Sequence, residues 1–375
     1  MRRLSRYIVK KMIINFVVLF TLFYLLGAVI DIIVNLDEFI TIAEKEFEGG
    51  GFLHKMYAIL HVSIGFEGPR LFQVFAYLHG AIAIGAMAFT AANMLRAREF
   101  VALMAAGISL RRIALPFLLV MISISGIALL NQEFMLPKVA PLLLRDHGES
   151  GNSSAASFPI PFTPDQSGAL LLAVSLDPET NVLTEPSFLR RDPKGRMTQQ
   201  IQATSATWDT TNNAGWLLTN GRSVDIAFDT ESGQAAIMSP QQVDFFETEL
   251  SPYLLMLHRY GQYIGMLGMT ELNNMLEVAG GFDAPMLRRH WYSRFASIAI
   301  NLLAMAIVIP LFVTRETVML SRQAIVCGGI GLTIMFGGTI VMLMPIAGFP
   351  AMVSVFLPAL ILMPVALFRI VSIRT

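Results

Sequence analysis

Six long apolar segments alternate with polar segments along this chain of 375 residues. They lie at about residues 13–34, 71–94, 113–135, 295–314, 323–345 and 351–368. Each is close to the roughly 20 apolar residues that an α-helix needs to cross the hydrocarbon core of a bilayer. The pattern therefore predicts six transmembrane helices, three within residues 1–137 and three within residues 271–375.

The polar segment between these groups, residues 138–270, has the pattern of a β-domain. Runs such as ALLLAVSL, GWLLTNG and SVDIAF are separated by turn-forming sequences such as DPET, DPKG and TNNAG. Short strands bounded by Gly, Asn and Pro turns are typical of an all-β fold. Roughly 130 residues are enough to bury a separate core, so we expect an inserted all-β domain.

The connection between the second and third apolar segments, LRAREFVALMAAGISLRRIALP at residues 95–116, has a different pattern. Its apolar residues recur at i, i+3, i+4, i+7 and i+8, namely Phe100, Leu103, Met104, Gly107 and Ile108. This spacing predicts a short amphipathic helix over residues 95–108. Gly107 suits the end of that helix, and Ser109 suits the N-cap of the next one.

The distribution of charge predicts the orientation in the membrane. Five basic residues precede the first apolar segment: Arg2, Arg3, Arg6, Lys10 and Lys11. Basic residues beside a span stay on the cytoplasmic side, so we place the N-terminus in the cytoplasm. The connection after two spans returns to that side and carries four Arg against one Glu. By the same parity the β-domain lies outside and the C-terminus inside.

Charged residues near the predicted outer ends of the spans have two interpretations. Arg70, Arg288, Arg289 and Arg294 lie on that side. Either a long translocated segment tolerates their charge, or their planar donor groups bind phosphates in the outer leaflet. Asp31, near the outer end of the first span, is predicted to be an interfacial acid.

Composition limits the chemistry of the chain. It is 54% hydrophobic and 14% charged with a formal net charge of zero, whereas soluble domains carry about 25% charged residues. There is no GxxxxGKS/T phosphate loop, and no HExxH or GxSxG catalytic motif. With six His and a single Cys, Cys327, we expect no metal site and no cofactor. The chain is therefore predicted to be a membrane component that is not an enzyme and takes its energy from another protein.

Two other classes of function remain open at this point. One is a non-transporting membrane scaffold or sensor whose β-domain binds a ligand. The other is a membrane-bound enzyme that uses acids of the β-domain such as Asp209, Asp225 and Asp229. Turn positions explain these acids better, because Asp is common in turns.

Several motifs, taken in order, resemble one known family. RAREFVALMAAGISLRRIALP is followed by NQEFMLP, by GWLLTNG, by TELNNMLEVAGG and by RRHWYSRFASIAINLLAMAIVIPL. Over essentially the whole chain, their order and spacing resemble the LptF/LptG (YjgP/YjgQ) permeases. These are the membrane subunits of the lipopolysaccharide-export ABC transporter.

The resemblance implies partners and a location in the bacterial inner membrane. The expected partners are a cytoplasmic ABC ATPase dimer, a second six-span permease of the family and a periplasmic lipid-bridge protein. The β-domain would be a periplasmic jellyroll that passes lipopolysaccharide, or a similar anionic glycolipid, towards the outer membrane.

The resemblance also implies that residues 95–108 are the coupling helix. Glu99 matches the acid that enters a groove on the ATPase, and the neighbouring coupling residues are Arg96, Phe100, Leu103 and Met104. Alternatively, Glu99 is a solvated acid that pairs with Arg96 or Arg98.

For the lipid head group, the resemblance implies basic residues near the outer ends of the spans. Members of the family often carry Lys near the outer end of the first span, whereas this chain has Asp31, Asp37 and Glu38. The four Arg residues named above are the available substitutes as head-group ligands; the alternatives are that the second permease supplies the charge or that the lipid differs.

Overall fold

The computed structural model describes residues 2–46, 52–149, 157–192, 195–209, 214–228, 235–278, 284–312, 320–346 and 348–371. Its α-helices are α1 (Arg2–Val34), α2 (Leu36–Glu46), α3 (Phe52–Arg96), α4 (Glu99–Ala105), α5 (Leu110–Leu130), α6 (Leu136–Leu143), α7 (Pro252–Arg259), α8 (Met269–Val278), α9 (Ala284–Val308), α10 (Leu320–Leu343) and α11 (Ala351–Val371). A π-helical turn at Asn131–Met135 joins α5 to α6.

Six of the described helical segments have the length and composition needed to cross a membrane. They are Arg3–Val34, Leu53–Arg96, Arg112–Leu143, Ala284–Leu311, Ile325–Leu343 and Ala351–Val371. Each of the six apolar segments of the sequence overlaps one of them, so the prediction of six helices able to cross a membrane is confirmed. In chain order, three precede the strands and three follow them.

Antiparallel strands occupy the middle of the chain, as the turn-separated runs predicted. They are β1 (Phe158–Pro164), β2 (Leu170–Asp177), β3 (Val182–Thr184), β4 (Ser187–Arg191), β5 (Met197–Gln202), β6 (Ser205–Asp209), β7 (Gly215–Thr219), β8 (Arg222–Phe228), β9 (Ala235–Ile237), β10 (Gln241–Gln242) and β11 (Phe245–Glu247). The described strands pair in the order β10-β8-β5-β4-β2-β3-β6-β7-β11, while β1 pairs with β2 and β9 pairs with β8.

The chain divides into two compact units. The first comprises Met1–Leu36, Glu67–Pro137 and Pro285–Thr375, and it holds most of the apolar helices. The second comprises Asp37–Phe66 and Lys138–Ala284, and it holds the strands. The second unit thus includes residues 37–66, which lie before the third span in the chain, in addition to the segment whose turns predicted a β-domain.

The first unit is packed around large apolar side chains that point inward from several helices. Met12 of α1, Met87 of α3, Phe100 of α4 and Phe117 of α5 are each at most 1% exposed and belong to one cluster. Burying such a side chain contributes roughly 1.5–3 kcal/mol when the alternative is water. In lipid that advantage is smaller, so close packing and polar contacts between helices gain in importance.

One glycine permits a particularly close approach of helices in this unit. A Cβ atom placed on Gly80 of α3 would lie 2.5 Å from the Met335 Cε atom of α10 and 2.6 Å from the Asn301 Oδ1 atom of α9. Asn301 is itself fixed, because its amide nitrogen lies 3.1 Å from the Nε2 atom of the buried His79. A side chain at this position would therefore force Asn301 or Met335 to move.

In the second unit, the GWLLTNG motif forms β7 and the turn that follows it. Trp216 is fully buried and donates from Nε1 to the Leu250 carbonyl at 2.9 Å. Asn220 has a left-handed backbone with φ of 56°, which Asn tolerates better than most residues. A Cβ on Gly221 would collide with the Val243 carbonyl oxygen. The motif is therefore explained by packing and turn geometry within the sheet.

We predict that Gly80→Ala lowers the free energy of unfolding of the detergent-solubilised protein by about 1–3 kcal/mol, because the added methyl overpacks the contact with Asn301. Thermal unfolding measures the loss. Gly126→Ala is the matched control, since a Cβ on Gly126 of α5 meets no atom within 4 Å. Equal stability of the two variants would contradict the close approach.

Candidate functional site

The predicted amphipathic helix is shorter in the structure than in the sequence prediction. Residues 95–96 belong to the end of α3, and α4 runs only from Glu99 to Ala105. Arg98 separates the two helices with a left-handed φ of 55°. Gly107, with φ of 76°, follows the end of α4. Ser109 occupies the N-cap position of α5, although its side chain makes no capping hydrogen bond.

Glu99, the first residue of α4, contacts the first helix of the chain. Its Oε1 atom accepts a hydrogen bond from the Tyr7 hydroxyl at 2.9 Å and another from the Lys11 ammonium at 3.2 Å. Lys11 also donates to the Tyr7 hydroxyl at 2.9 Å. The structure therefore pairs Glu99 with Lys11 of α1 and not with Arg96 or Arg98, the partners considered from the sequence.

The apolar side of α4 faces the interior of the first unit. Phe100 is fully buried, and Leu103 and Met104 are half-buried against the same cluster. Arg96 is exposed at the end of α3. The outer side of α4 consists of short side chains, with Val101, Ala102 and Ala105 exposed. The five predicted coupling residues thus divide into Glu99 and Arg96 on an accessible edge and three residues that join α4 to the core.

Arg70, the first of the four Arg residues considered as head-group ligands, lies in a cluster with two acids. Its Nη1 atom is 2.9 Å from the Asp31 Oδ2 atom of α1 and 3.2 Å from the Glu67 Oε1 atom of α3. Asp31 and Arg70 are each about one quarter exposed. Asp31 is therefore more than an interfacial acid, because it forms an ion pair between two helices.

Arg294, another of the four, is buried. It is 3% exposed, and its Nη1 atom is 3.1 Å from the Glu133 Oε2 atom. Glu133 lies in the π-helical turn at Asn131–Met135, where one extra residue per turn changes the direction of the side chains. Asn131 of the same turn donates to the Phe72 carbonyl of α3 at 2.9 Å. The NQEFMLP motif thus supplies polar contacts from the end of α5 to α9 and α3.

Arg288 and Arg289 lie in the second turn of α9. Arg288 is exposed and Arg289 is half-buried. The Nε atom of Arg289 is buried and finds no hydrogen-bond acceptor among the described residues. The four Arg residues therefore do not form one group. Two are engaged in ion pairs between helices, and two share a helix start without a described carboxylate partner.

An apolar cavity of about 540 Å³ lies between α1, α3 and α10 in the first unit. Its lining is apolar throughout: Leu19 and Phe23 from α1; Leu78, Ala81, Ile82, Ile84, Gly85, Ala88, Phe89 and Ala92 from α3; and Cys327, Gly328, Gly331, Leu332 and Phe336 from α10. The small residues of α3 and α10 leave this space open. Such a cavity suits a hydrocarbon ligand and offers little to a polar one.

The second unit contains two clefts that are more polar than this cavity. One of about 650 Å³ is bordered by Arg190, Arg191 and Glu247, and one of about 890 Å³ is bordered by Gln202 and Gln242 among others.

The acids considered for an enzymatic site do not form a pair in the described residues. Asp225 accepts hydrogen bonds from Gln199 at 2.8 Å and from Ser223 at 3.3 Å within the sheet. Asp209 ends β6, and Asp229 lies outside the described residues. A hydrogen-bonded strand residue explains Asp225 without catalysis.

Some residues of the site carry no distinctive signal in the sequence. Lys11 counts among the basic residues that orient the first span, and Tyr7 and Glu133 are isolated polar residues. Their partners are 88 to 161 residues away in the chain. A pattern of local spacing cannot reveal contacts over such distances.

We predict that Glu133→Leu destabilises the solubilised protein by about 3 kcal/mol, because it removes the carboxylate that lies 3.1 Å from the buried Arg294 guanidinium. Thermal unfolding in mild detergent measures the change, and the double variant Glu133→Leu/Arg294→Leu should recover most of the loss. Arg288→Met, which removes an exposed Arg of the same helix, is the control. A loss of equal size in the double variant would show that the charge pairing is not the cause.

Comparison with known proteins agrees with the arrangement of these elements. The family described as lipopolysaccharide export system permease LptF/LptG matches residues 73–372, which include α4, the strands and the last three candidate spans. A search of curated proteins found no match. Because the family match covers most of the chain, the chain belongs to the LptF/LptG family of lipopolysaccharide export permeases, a group of multi-pass membrane proteins.

Proposed function

We propose that this permease is the membrane subunit through which a cytoplasmic ABC ATPase dimer extracts lipopolysaccharide, or a similar anionic glycolipid, from the outer leaflet of the inner membrane. A second permease of the family completes the membrane part, and a periplasmic bridge protein receives the lipid. The observation that carries the proposal is α4, a short helix with an acid at its start, short exposed side chains and a buried apolar face.

The exposed edge of α4 suits close docking into a groove of the ATPase. Val101, Ala102 and Ala105 are short, so a partner surface can approach the helix backbone. Glu99 offers a carboxylate to a basic residue of that groove, and an ion-assisted hydrogen bond of this kind is roughly twice as strong as a neutral one. The chain has no phosphate loop of its own, so the energy has to enter from a partner.

The apolar cavity supports the choice of substrate class. Exposing acyl chains to water costs about 0.8 kcal/mol per CH₂, so a lipid extractor needs both an energy source and an apolar route. The cavity between α1, α3 and α10 provides an apolar surface within the first unit, which holds most of the apolar helices. Closure of the ATPases would displace α4 and reduce this space, which expels the lipid into the β-domain.

For the head group, we propose Arg288 and Arg289 as the phosphate contacts. Arg288 is exposed, and the Nε atom of Arg289 lacks an acceptor among the described residues. Arg70 and Arg294 are held in ion pairs with acids. We therefore propose that Arg70 and Arg294 fix helix positions near the lipid. Arg288 and Arg289 bind its phosphates directly.

The proposal includes a topology. Residues 1–137 supply three spans, with the coupling helix in the cytoplasm. Residues 138–270 form a periplasmic jellyroll, and residues 271–375 supply three further spans, with both termini in the cytoplasm. Positive charge in the first part of α1, before its apolar segment, and in the connection around α4 supports this orientation.

The alternative function is a non-transporting scaffold or sensor. The polar clefts of the second unit favour it, since side-chain amides and guanidinium groups suit a glycan or peptide. Affinity purification from mild detergent distinguishes the two functions. The transporter requires co-purification of an ABC ATPase and a second permease, and the sensor requires neither.

We predict that Glu99→Lys abolishes association with the ATPase while membrane insertion and folding are retained, because the substituted ammonium repels a basic groove. Co-purification from mild detergent measures the association. Arg98→Glu, a charge reversal of the same size at the preceding residue, is the control and should retain the ATPase. If Glu99→Lys retains the ATPase as well as the wild type does, Glu99 is not part of the docking contact.

We predict that Gly328→Leu weakens lipid binding roughly tenfold, because a side chain at this position occupies the cavity. Lipid-stimulated ATP hydrolysis in proteoliposomes measures the effect, and co-purification of the ATPase should be unchanged. Gly337→Leu is the matched control, since Gly337 lies on the same helix outside the cavity lining. A Cβ at either glycine meets no atom within 4 Å. Identical stimulation of the two variants would exclude the cavity as the lipid site.

A further inference from the structure

The helix α1 is linked to α4 through side chains alone. α3 ends at Arg96 and α5 begins at Leu110, so both flank α4 in the chain and follow its movements through the backbone. α1 has no such connection. Its link to α4 consists of the hydrogen bonds from Tyr7 and Lys11 to Glu99 and of apolar packing.

The two hydrogen bonds leave part of the Glu99 carboxylate available. Both go to Oε1, and within the described part of the chain none goes to Oε2. An ionised carboxylate accepts through both oxygens. The same residue can therefore hold α1 through Oε1 and accept from a basic residue of the ATPase through Oε2.

Beside this contact, α1 and α4 each contribute apolar residues to one cluster of the first unit. An exposed ion pair contributes about 0–1 kcal/mol. Here the side chains of Lys11 and Glu99 are each 27% exposed. Met12 follows Lys11 in α1, and Phe100 follows Glu99 in α4. Both are fully buried in the same cluster, as is Ile8. The polar contact thus lies at the edge of an apolar cluster to which both helices contribute.

The other end of the same helix segment reaches the cavity. Leu19 and Phe23 of α1 line it, about 12 and 18 Å along the helix axis from Lys11 at a rise of about 1.5 Å per residue. Between Lys11 and Phe23 the sequence has neither Gly nor Pro. Since kinks almost always arise at such residues or at inserted groups, this segment behaves as a stiff rod.

We propose that Lys11 and Tyr7 are positioning residues that couple α1 to α4, so that displacement of α4 by the ATPase moves the α1 wall of the cavity relative to α10. This rests on the proposed function and adds to it the route of the movement. Glu99 has two simultaneous partners in this scheme, Lys11 inside the permease and a basic residue outside it. ATP hydrolysis and lipid movement are therefore separable by mutation of Lys11.

The experiment uses the complex of the permease pair with its ATPase, reconstituted in proteoliposomes that contain lipopolysaccharide. The readout is the amount of lipid transferred to a soluble periplasmic acceptor for each ATP hydrolysed. For Lys11→Met we expect this ratio to fall about tenfold, while ATPase co-purification stays at the wild-type level. Lys11→Arg keeps the charge and the donors and should restore the ratio.

Lys10→Met is the matched control. Lys10 is adjacent to Lys11 in the chain and is exposed, so this substitution removes the same charge from a solvent-facing position. It should leave the ratio unchanged. A wild-type ratio for Lys11→Met overturns the proposal, and so does loss of the ATPase in Lys11→Met to the same extent as in Glu99→Lys. Failure of the wild-type complex to couple lipid to ATP hydrolysis would instead overturn the proposed function itself.

Discussion

Inside a bilayer no water completes the hydrogen bonds of a polar side chain, so each such group needs a partner within the protein. The helices of the first unit meet this requirement with a small number of polar contacts. They include Arg70–Asp31, Arg294–Glu133, Asn301–His79 and Asn15–Thr90, and Lys11–Glu99 adds one near the start of α1. Each of them joins two different helices. Polar pairing therefore selects which helices lie side by side, a choice that apolar surfaces in lipid leave poorly determined.

These contacts determine geometry more than they add stability. Removing two charges from water is costly, and a buried ion pair often contributes little compared with an apolar pair of equal volume. Removing only one partner of such a pair is strongly destabilising, because water cannot reach the charge that remains. The Arg294–Glu133 contact has this character because Arg294 is almost wholly buried. It places α9 relative to the π-helical turn after α5, and thereby sets the positions of Arg288 and Arg289 on the same helix.

Features that depend on local sequence were predictable from the chain alone. Hydropathy located the six apolar helices, and turn residues located the strands. Gly107 marked the end of the short helix, as its φ of 76° confirms. The partner of Glu99 was not predictable, because Lys11 lies 88 residues away. Nor was the length of α3, since the predicted second span began at about residue 71, whereas the structure has one helix from Phe52 to Arg96 with Pro69 inside it.

The burial of Arg294 could not be predicted either, since Arg residues are mostly exposed in proteins. Arg288, on the same helix, has the same residue type and the same two interpretations from the sequence, yet it is exposed. The difference depends on the position of each residue around the α9 axis relative to a helix that is distant in sequence. Composition and charge counting treat the two residues as equivalent.

The second unit draws part of its interior from a segment that precedes the strands by about a hundred residues. Phe66 packs on His147 with ring centroids 4.8 Å apart, and the Arg145 guanidinium lies 5.6 Å from the centre of the same ring. Phe39 packs against Phe66. The strands are thus not a module that can be excised at their own ends. A soluble fragment cut from the chain at residues 138 and 284 would expose the aromatic surface that Phe39 and Phe66 cover, and it would need residues 37–66 supplied as a second peptide.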